Sequence, residues 1–159
     1  MDSFQLVTFA TVTQIIILPT PGCCSCSEYE DFEKEASCGD DGYLIHMGLR
    51  NCKKFSSPEI KSHFTSEGTK FLQCTKDCLI HHLKTFFKRT PLNCEEIGDS
   101  GFESHVNCYL QCGFCNICKS EKLAFLKSYD YLDFFTRRSF SPIFQILRAC
   151  GPLSCFLPF

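Results

Sequence analysis

Fourteen of the 159 residues are cysteine, and no other feature restricts the chain as much. An even, high cysteine count marks chains that fold in an oxidising compartment and are stapled by disulfides, because the cytosol keeps thiols reduced. Seven of the cysteines and three other residues fall on one ruler: Phe64-x3-Gly68-x2-Phe71-x6-Cys78-x15-Cys94-x13-Cys108-x6-Cys115-x34-Cys150, with Cys38 and Cys52 upstream. Cys23, Cys24, Cys26, Cys74, Cys112, Cys118 and Cys155 complete the set.

The first 22 residues differ from the rest. They hold no Lys or Arg and one acid, Asp2, and Phe9 to Leu18 is an apolar stretch ended by Pro19, Thr20, Pro21 and Gly22. Thr20 and Gly22 suit the positions before a signal-peptidase cut. The expected division is therefore a signal peptide over 1–22 and a single domain over 23–159, secreted and extracellular. The stretch is shorter than the ~20 apolar residues of a membrane span, and no other candidate span follows. All 14 cysteines lie beyond Gly22. With 16 basic and 18 acidic residues, the chain lacks the basic face that phosphate backbones require, so no nucleic-acid partner is expected.

The periodicity is helical. Residues 23–42 carry no strong period and read as an irregular, cross-linked amino-terminal segment, with Gly39-Asp40-Asp41-Gly42 as a turn. Residues 43–55 are weakly periodic. Ser57-Pro58 pairs an N-cap with proline at the first helical position, opening a short helix. Thr65 or Ser66 caps the clearest helix, about 66–88, with Phe71, Leu72, Leu79, Leu83, Phe86 and Phe87 at 3–4 spacing. Asp99 or Ser100 is the expected cap of the next, to about 114, with Phe102, Val106, Tyr109 and Leu110. A further helix is expected from Ser120 through Leu123, Leu126, Leu132 and Phe135, and a last one from Ser141-Pro142 to Gly151-Pro152. The fold class is all-α.

Two cysteine pairs sit on this pattern. Cys74 and Cys78 are four apart on one helix, and Cys108 and Cys112 are four apart on the next, so each pair shares a face. Facing positions of an antiparallel helix pair have a constant sum, and 78 with 108 gives the same sum as 74 with 112. If Cys78 pairs with Cys108, then Cys74 lies opposite Cys112, and two disulfide rungs clamp one helical hairpin.

Other chemistries fit less well. Cys112-x2-Cys115-x2-Cys118 has the spacing of three iron–sulfur ligands, but the fourth position is Lys122. Cys23, Cys24, Cys26 and the five histidines could serve zinc, but no Cys-x2-Cys is matched by a second pair at finger spacing, and His81-His82 point to different helix faces. A catalytic cysteine needs a low-pKa thiolate beside a base, whereas the even count gives every cysteine here a possible disulfide partner. No nucleophile elbow, metalloprotease helix or phosphate-binding loop occurs. The reading is a binding protein with no catalytic residues, no metal ligands and no cofactor.

The ruler, together with Cys38-Gly-Asp-Asp-Gly42 and Cys52-Lys-Lys-Phe55, resembles that of the stanniocalcins, a family of secreted glycoprotein hormones. The resemblance runs from about Cys38 to Cys150. It implies a disulfide-linked helical ligand that binds a protein receptor or secreted partner and takes part in calcium and phosphate homeostasis. It also implies the pairs Cys78–Cys108, Cys115–Cys150 and Cys38–Cys94, with Cys52 bonded to one of Cys23, Cys24 and Cys26. Cys74 and Cys112 are not family positions. The chain ends at Phe159, soon after Cys150, whereas family members continue into a tail that carries the interchain cysteine. Cys118 and Cys155 are left over: either they bond each other, or one of them links two chains into a homodimer. Where some members hold an extra cysteine that traps a metalloproteinase, this chain has Thr90. The alternative reading is a secreted, disulfide-rich protease inhibitor or binding module.

Overall fold

The computed structural model describes residues 23–89, 93–129, 137–151 and 154–155. Every element among them is helical. Expectations for 1–22, Thr90-Pro91, Leu132, Phe135, Leu153 and 156–159 fall outside the described residues.

The amino-terminal segment is more ordered than its composition suggests. Residues Glu28–Ala36 form α1, with Glu28, Glu30 and Asp31 in the first turn and Lys34 in the last. These charges oppose the helix dipole, a local signal that the absence of an apolar period obscured. After the Gly39–Gly42 turn, a π-helical segment, Tyr43–Leu49, runs into α2, Arg50–Ser56. A Cβ on Gly48 would stand 2.3 Å from a ring carbon of Tyr29, so α1 can lie this close to the π-helical segment only over glycine.

Ser57 accepts the amide of Ile60 and Pro58 starts α3, Pro58–Lys61. Thr65 caps α4, Ser66–Phe86, by accepting from the amide of Gly68 at 3.2 Å. α5 is Cys94–Gln111, five residues earlier at its start than the sequence suggests. Its cap is Asn93, whose side chain accepts from the amides of Glu95 and Glu96, and two acids in the first turn reinforce it. Gly113, left-handed at φ 85°, turns the chain into α6, Phe114–Ile117. α7, Lys122–Ser128, stops at extended Tyr129. α8 covers Arg137–Cys150, so Pro142 lies inside the helix and does not open it. Proline withholds one backbone hydrogen bond, but Pro142 is buried, and its ring contributes packing where the bond is lost.

α4 and α5 form an antiparallel hairpin, and α8 packs along α5. α4 serves two core clusters. Its carboxy-terminal half gives Ile80 and Leu83 to a core shared with Cys24, Tyr29, Phe32, Leu44, Leu49, Phe87 and Ile97. Its amino-terminal half gives Phe71 and Leu72 to a second, with Ile60, Phe64, Ala124 and Phe125. The second core is built from rings: Phe71 lies 5.2 Å from Tyr109, 5.8 Å from Phe114 and 5.8 Å from Phe125, mostly edge-on.

The fully buried stripe of α5 is Ile97, Gly98, Gly101, Ser104 and Cys108, while Phe102, Val106, Tyr109 and Leu110 are half-buried. Small residues bring this helix close to its neighbours. The ring of Tyr43 occupies the space where a Cβ on Gly101 would stand, 2.3 Å from its ring carbons.

The motif Phe64-x3-Gly68-x2-Phe71 acquires a physical reason. Phe64 and Phe71 both pack on Phe125 of α7. Between them, a Cβ on Gly68 would lie 2.8 Å from the carboxyl carbon of Glu121. Glu121 is 2% exposed, and its carboxylate accepts from the amide of Thr65 at 3.3 and 3.4 Å and from the Thr65 hydroxyl. A buried carboxylate is tolerable when hydrogen-bonded at the positive end of a helix, and glycine leaves it room there.

Candidate functional site

Twelve of the fourteen cysteines are paired in six bonds, and two are free. Cys74–Cys112 and Cys78–Cys108 join α4 to α5, each with Cα atoms 5.7 Å apart. Cys38–Cys94 ties the turn after α1 to the start of α5. Cys26–Cys52 holds the segment before α1 against α2. Cys115–Cys150 joins α6 to the end of α8, and Cys118–Cys155 lies beside it with Cα atoms 5.2 Å apart. Within the chain, Cys118 and Cys155 are bonded to each other.

Cys23 is exposed and Cys24 is buried, both as free thiols. Desolvation, reinforced by a hydrogen bond and repulsion from Cys23, pushes the Cys24 thiol up to about 12. Uncomplexed, it is a protonated donor, and its sulfur lies 3.9 Å from the Asp77 carbonyl.

A cavity of about 360 Å³ opens where the π-helical segment, α4, α5, α7 and α8 meet. Its wall is mainly Met47, Phe71, Leu79, Tyr109, Ile146 and Leu147. His105 supplies one polar feature. Its Nδ1 donates to the Gly101 carbonyl at 2.8 Å, and desolvation, opposed by that bond and aided by His82, holds its pKa below the usual imidazole range. His105 is half-buried and lines the cavity. The Tyr109 and Tyr129 hydroxyls are hydrogen-bonded to each other, and desolvation raises both phenol pKa values. The wall offers mainly apolar contact, with phenol and imidazole hydrogen-bonding groups and Lys61, Lys76 and Lys122 also among its lining.

Three large apolar side chains stand exposed among the described residues. Leu123 is 64% exposed, Leu126 52% and Phe144 57%. Leu123 and Leu126 lie three apart on α7, hence on one face, and Leu126 reaches the cavity wall together with Ile143 and Leu147 of α8. No helix among the described residues is long and apolar enough to cross a membrane.

Sequence reasoning missed two buried carboxylates, Asp77 and Glu121, exposed by 1% and 2%. The Glu121 carboxylate finds its partner, Thr65, more than fifty residues away, whereas the Asp77 carboxylate accepts from Gln73 one turn earlier on the same helix. Only Gly68 hinted at either, as a space inside an otherwise apolar motif.

A model of the stanniocalcin family matches residues 6–153. No curated protein and no solved structure matches the chain.

Proposed function

This chain belongs to the stanniocalcin family, and on that premise we propose that it is a secreted, hormone-like signalling ligand that acts by binding a protein partner. Within that reading residues 1–22 are the signal peptide, the disulfide pairs described above form in the secretory pathway, and the physiological role lies in calcium and phosphate homeostasis. The observation that carries the binding mode is the exposure of Leu123 and Leu126 on one face of α7, with Phe144 exposed on α8. Monomeric soluble proteins seldom display such side chains together unless they serve an interface. The framework supports this role. α6 and α8 are cross-linked by Cys115–Cys150, and Cys118–Cys155 anchors the chain just before α7. Binding to a pre-ordered face loses little conformational entropy.

The test is saturable binding of labelled secreted protein to responsive cells, with calcium and phosphate flux as the physiological readout. Leu126→Ser with Phe144→Ser should weaken binding at least about tenfold, the cost of losing apolar anchors at the centre of an interface, and should leave the disulfide map unchanged. Undiminished binding by that variant would remove the face from the proposal. Potent inhibition of a secreted metalloproteinase, with no cell binding, would replace the signalling role with an inhibitory one.

A further inference from the structure

We propose that Cys23, Cys24 and Asp77 form a binding site for a thiophilic divalent cation of the zinc class. One donor atom from each residue lies within 4.8 Å of the other two. Ligands of one tetrahedral zinc stand about 3.5–4 Å apart, given metal–ligand distances near 2.0–2.3 Å. The closure needed is at most about 1.3 Å on that geometry, and rotation of the exposed Cys23 side chain can supply its part of it.

The third donor is what separates this cluster from two idle thiols. Asp77 sits on α4 and is 1% exposed. Buried carboxylates occur where they are paired or coordinate metal. Its orientation is fixed: the Gln73 amide donates to Oδ1 at 3.0 Å and to Oδ2 at 2.9 Å, and Lys76 stands 4.0 Å from Oδ1. A hydrogen bond that holds a ligand's plane is the usual outer support of a metal site. Lys84, paired with Glu28 at 2.5 Å, lies close enough to act electrostatically on Cys24 and offsets charge gathered there.

The donor set selects the ion. Two sulfurs and one oxygen suit zinc and its softer relatives and disfavour calcium and magnesium, which take oxygen shells. On binding, each thiol releases its proton to solvent and donates a sulfur lone pair to the ion. Asp77 supplies an oxygen lone pair, and no redox change occurs. Three protein ligands leave a fourth position open. Cleavage after Gly22, part of the reading above, would make Cys23 the mature amino terminus and place its α-amino nitrogen beside that position. The three-donor site stands without it. The six disulfides use none of these atoms, so the site is compatible with the oxidised framework.

The test titrates the secreted, fully oxidised protein with cadmium as a spectroscopic stand-in, and with zinc in competition. One cadmium per chain with a sulfur-to-metal charge-transfer band is expected. Cys23→Ser, at an exposed position, should lose most of the band while keeping the fold. Asp77→Asn, which retains the hydrogen bond to Gln73, should keep the band and weaken binding at least about tenfold. Three results would overturn the site: a bond between Cys23 and Cys24 in the secreted protein's peptide map, a band undiminished in Cys23→Ser, or unchanged affinity in a folded Asp77→Asn. If Asp77→Asn does not fold, the Cys23→Ser band decides.

Discussion

The two rungs of the α4–α5 hairpin should be thermodynamically coupled, by an amount that loop lengths set. Cys78–Cys108 and Cys74–Cys112 span 30 and 38 residues. Acting alone, loops of that size stabilise by about 3.6 and about 3.9 kcal/mol in the chain-entropy model. They do not act alone. With one rung intact, the other closes only the ring formed by residues 74–78 and 108–112. A ring of about ten residues is worth about 2.7 kcal/mol in the same model. Replacing either pair with alanine should therefore cost about 2.7 kcal/mol, and replacing both about 6.3 kcal/mol, an excess of about 1 kcal/mol over the two single losses. Cys108 is 2% exposed, so its truncation also loses sulfur packing. That loss enters one single variant and the double variant equally and cancels in the cycle. The assay is urea unfolding of the oxidised variants at 25 °C, followed by far-ultraviolet circular dichroism. Single losses near 3.6 and 3.9 kcal/mol, with a double loss equal to their sum, would show that the rungs constrain the unfolded chain independently, and the shared-ring reasoning would be wrong.

Two further outcomes follow from particular contacts. Gly68→Ala should destabilise by about 1–3 kcal/mol, the usual cost of overpacking, because its Cβ would lie 2.8 Å from the Glu121 carboxyl carbon and 2.9 Å from Phe64; a melting temperature within a degree of wild type would refute the close approach of α7. His105 should make stability fall with acidity, because desolvation lowers its folded-state pKa. Above the unfolded value of about 6.5 neither state carries the proton. As pH drops below that, the unfolded chain protonates first and stability declines, until the folded-state pKa is passed. His82, lowered chiefly by desolvation and then by Arg89, acts in the same direction, so His105→Asn should flatten the decline between pH 7 and 5 without abolishing it; an unchanged slope in urea midpoints would exclude His105 as a contributor.

The parts of this fold legible in the sequence are those governed by local rules. Thr65, Ser57 and Pro58 mark helix starts because capping depends on a few adjacent residues. The clamped hairpin is legible because the cysteine spacing on both helices follows the helical period. Where the reading slipped, tertiary packing had overridden local hydrophobicity. Phe102, Val106, Tyr109 and Leu110 mark α5 in the sequence, yet its buried face is made of Gly101, Ser104 and Cys108. Ile80, fully buried, stood out little between Leu79 and the two histidines that follow it. Ser141-Pro142 has the form of a helix start, but the helix begins at Arg137, and Pro142 is held inside by burial.

The least legible features are buried polar groups whose partners are distant. Asp77 and Glu121 look like any charges on amphipathic helices, and only the fold buries them, bringing Cys24 to the Asp77 backbone carbonyl and Thr65 to the Glu121 carboxylate. The ruler is thus more than a disulfide pattern. Its cysteines fix which helices lie side by side, and its Phe64, Gly68 and Phe71 fix how α7 seats on α4 through Phe125 and Glu121. Cross-links that hold α4, α5, α6 and α8 lessen the number of surface side chains the core must recruit for stability. Leu123, Leu126 and Phe144 can then stand in solvent on short or terminal helices without loosening the fold. Substitutions there should consequently separate recognition from stability, whereas substitutions at Gly68 or Phe71 should not.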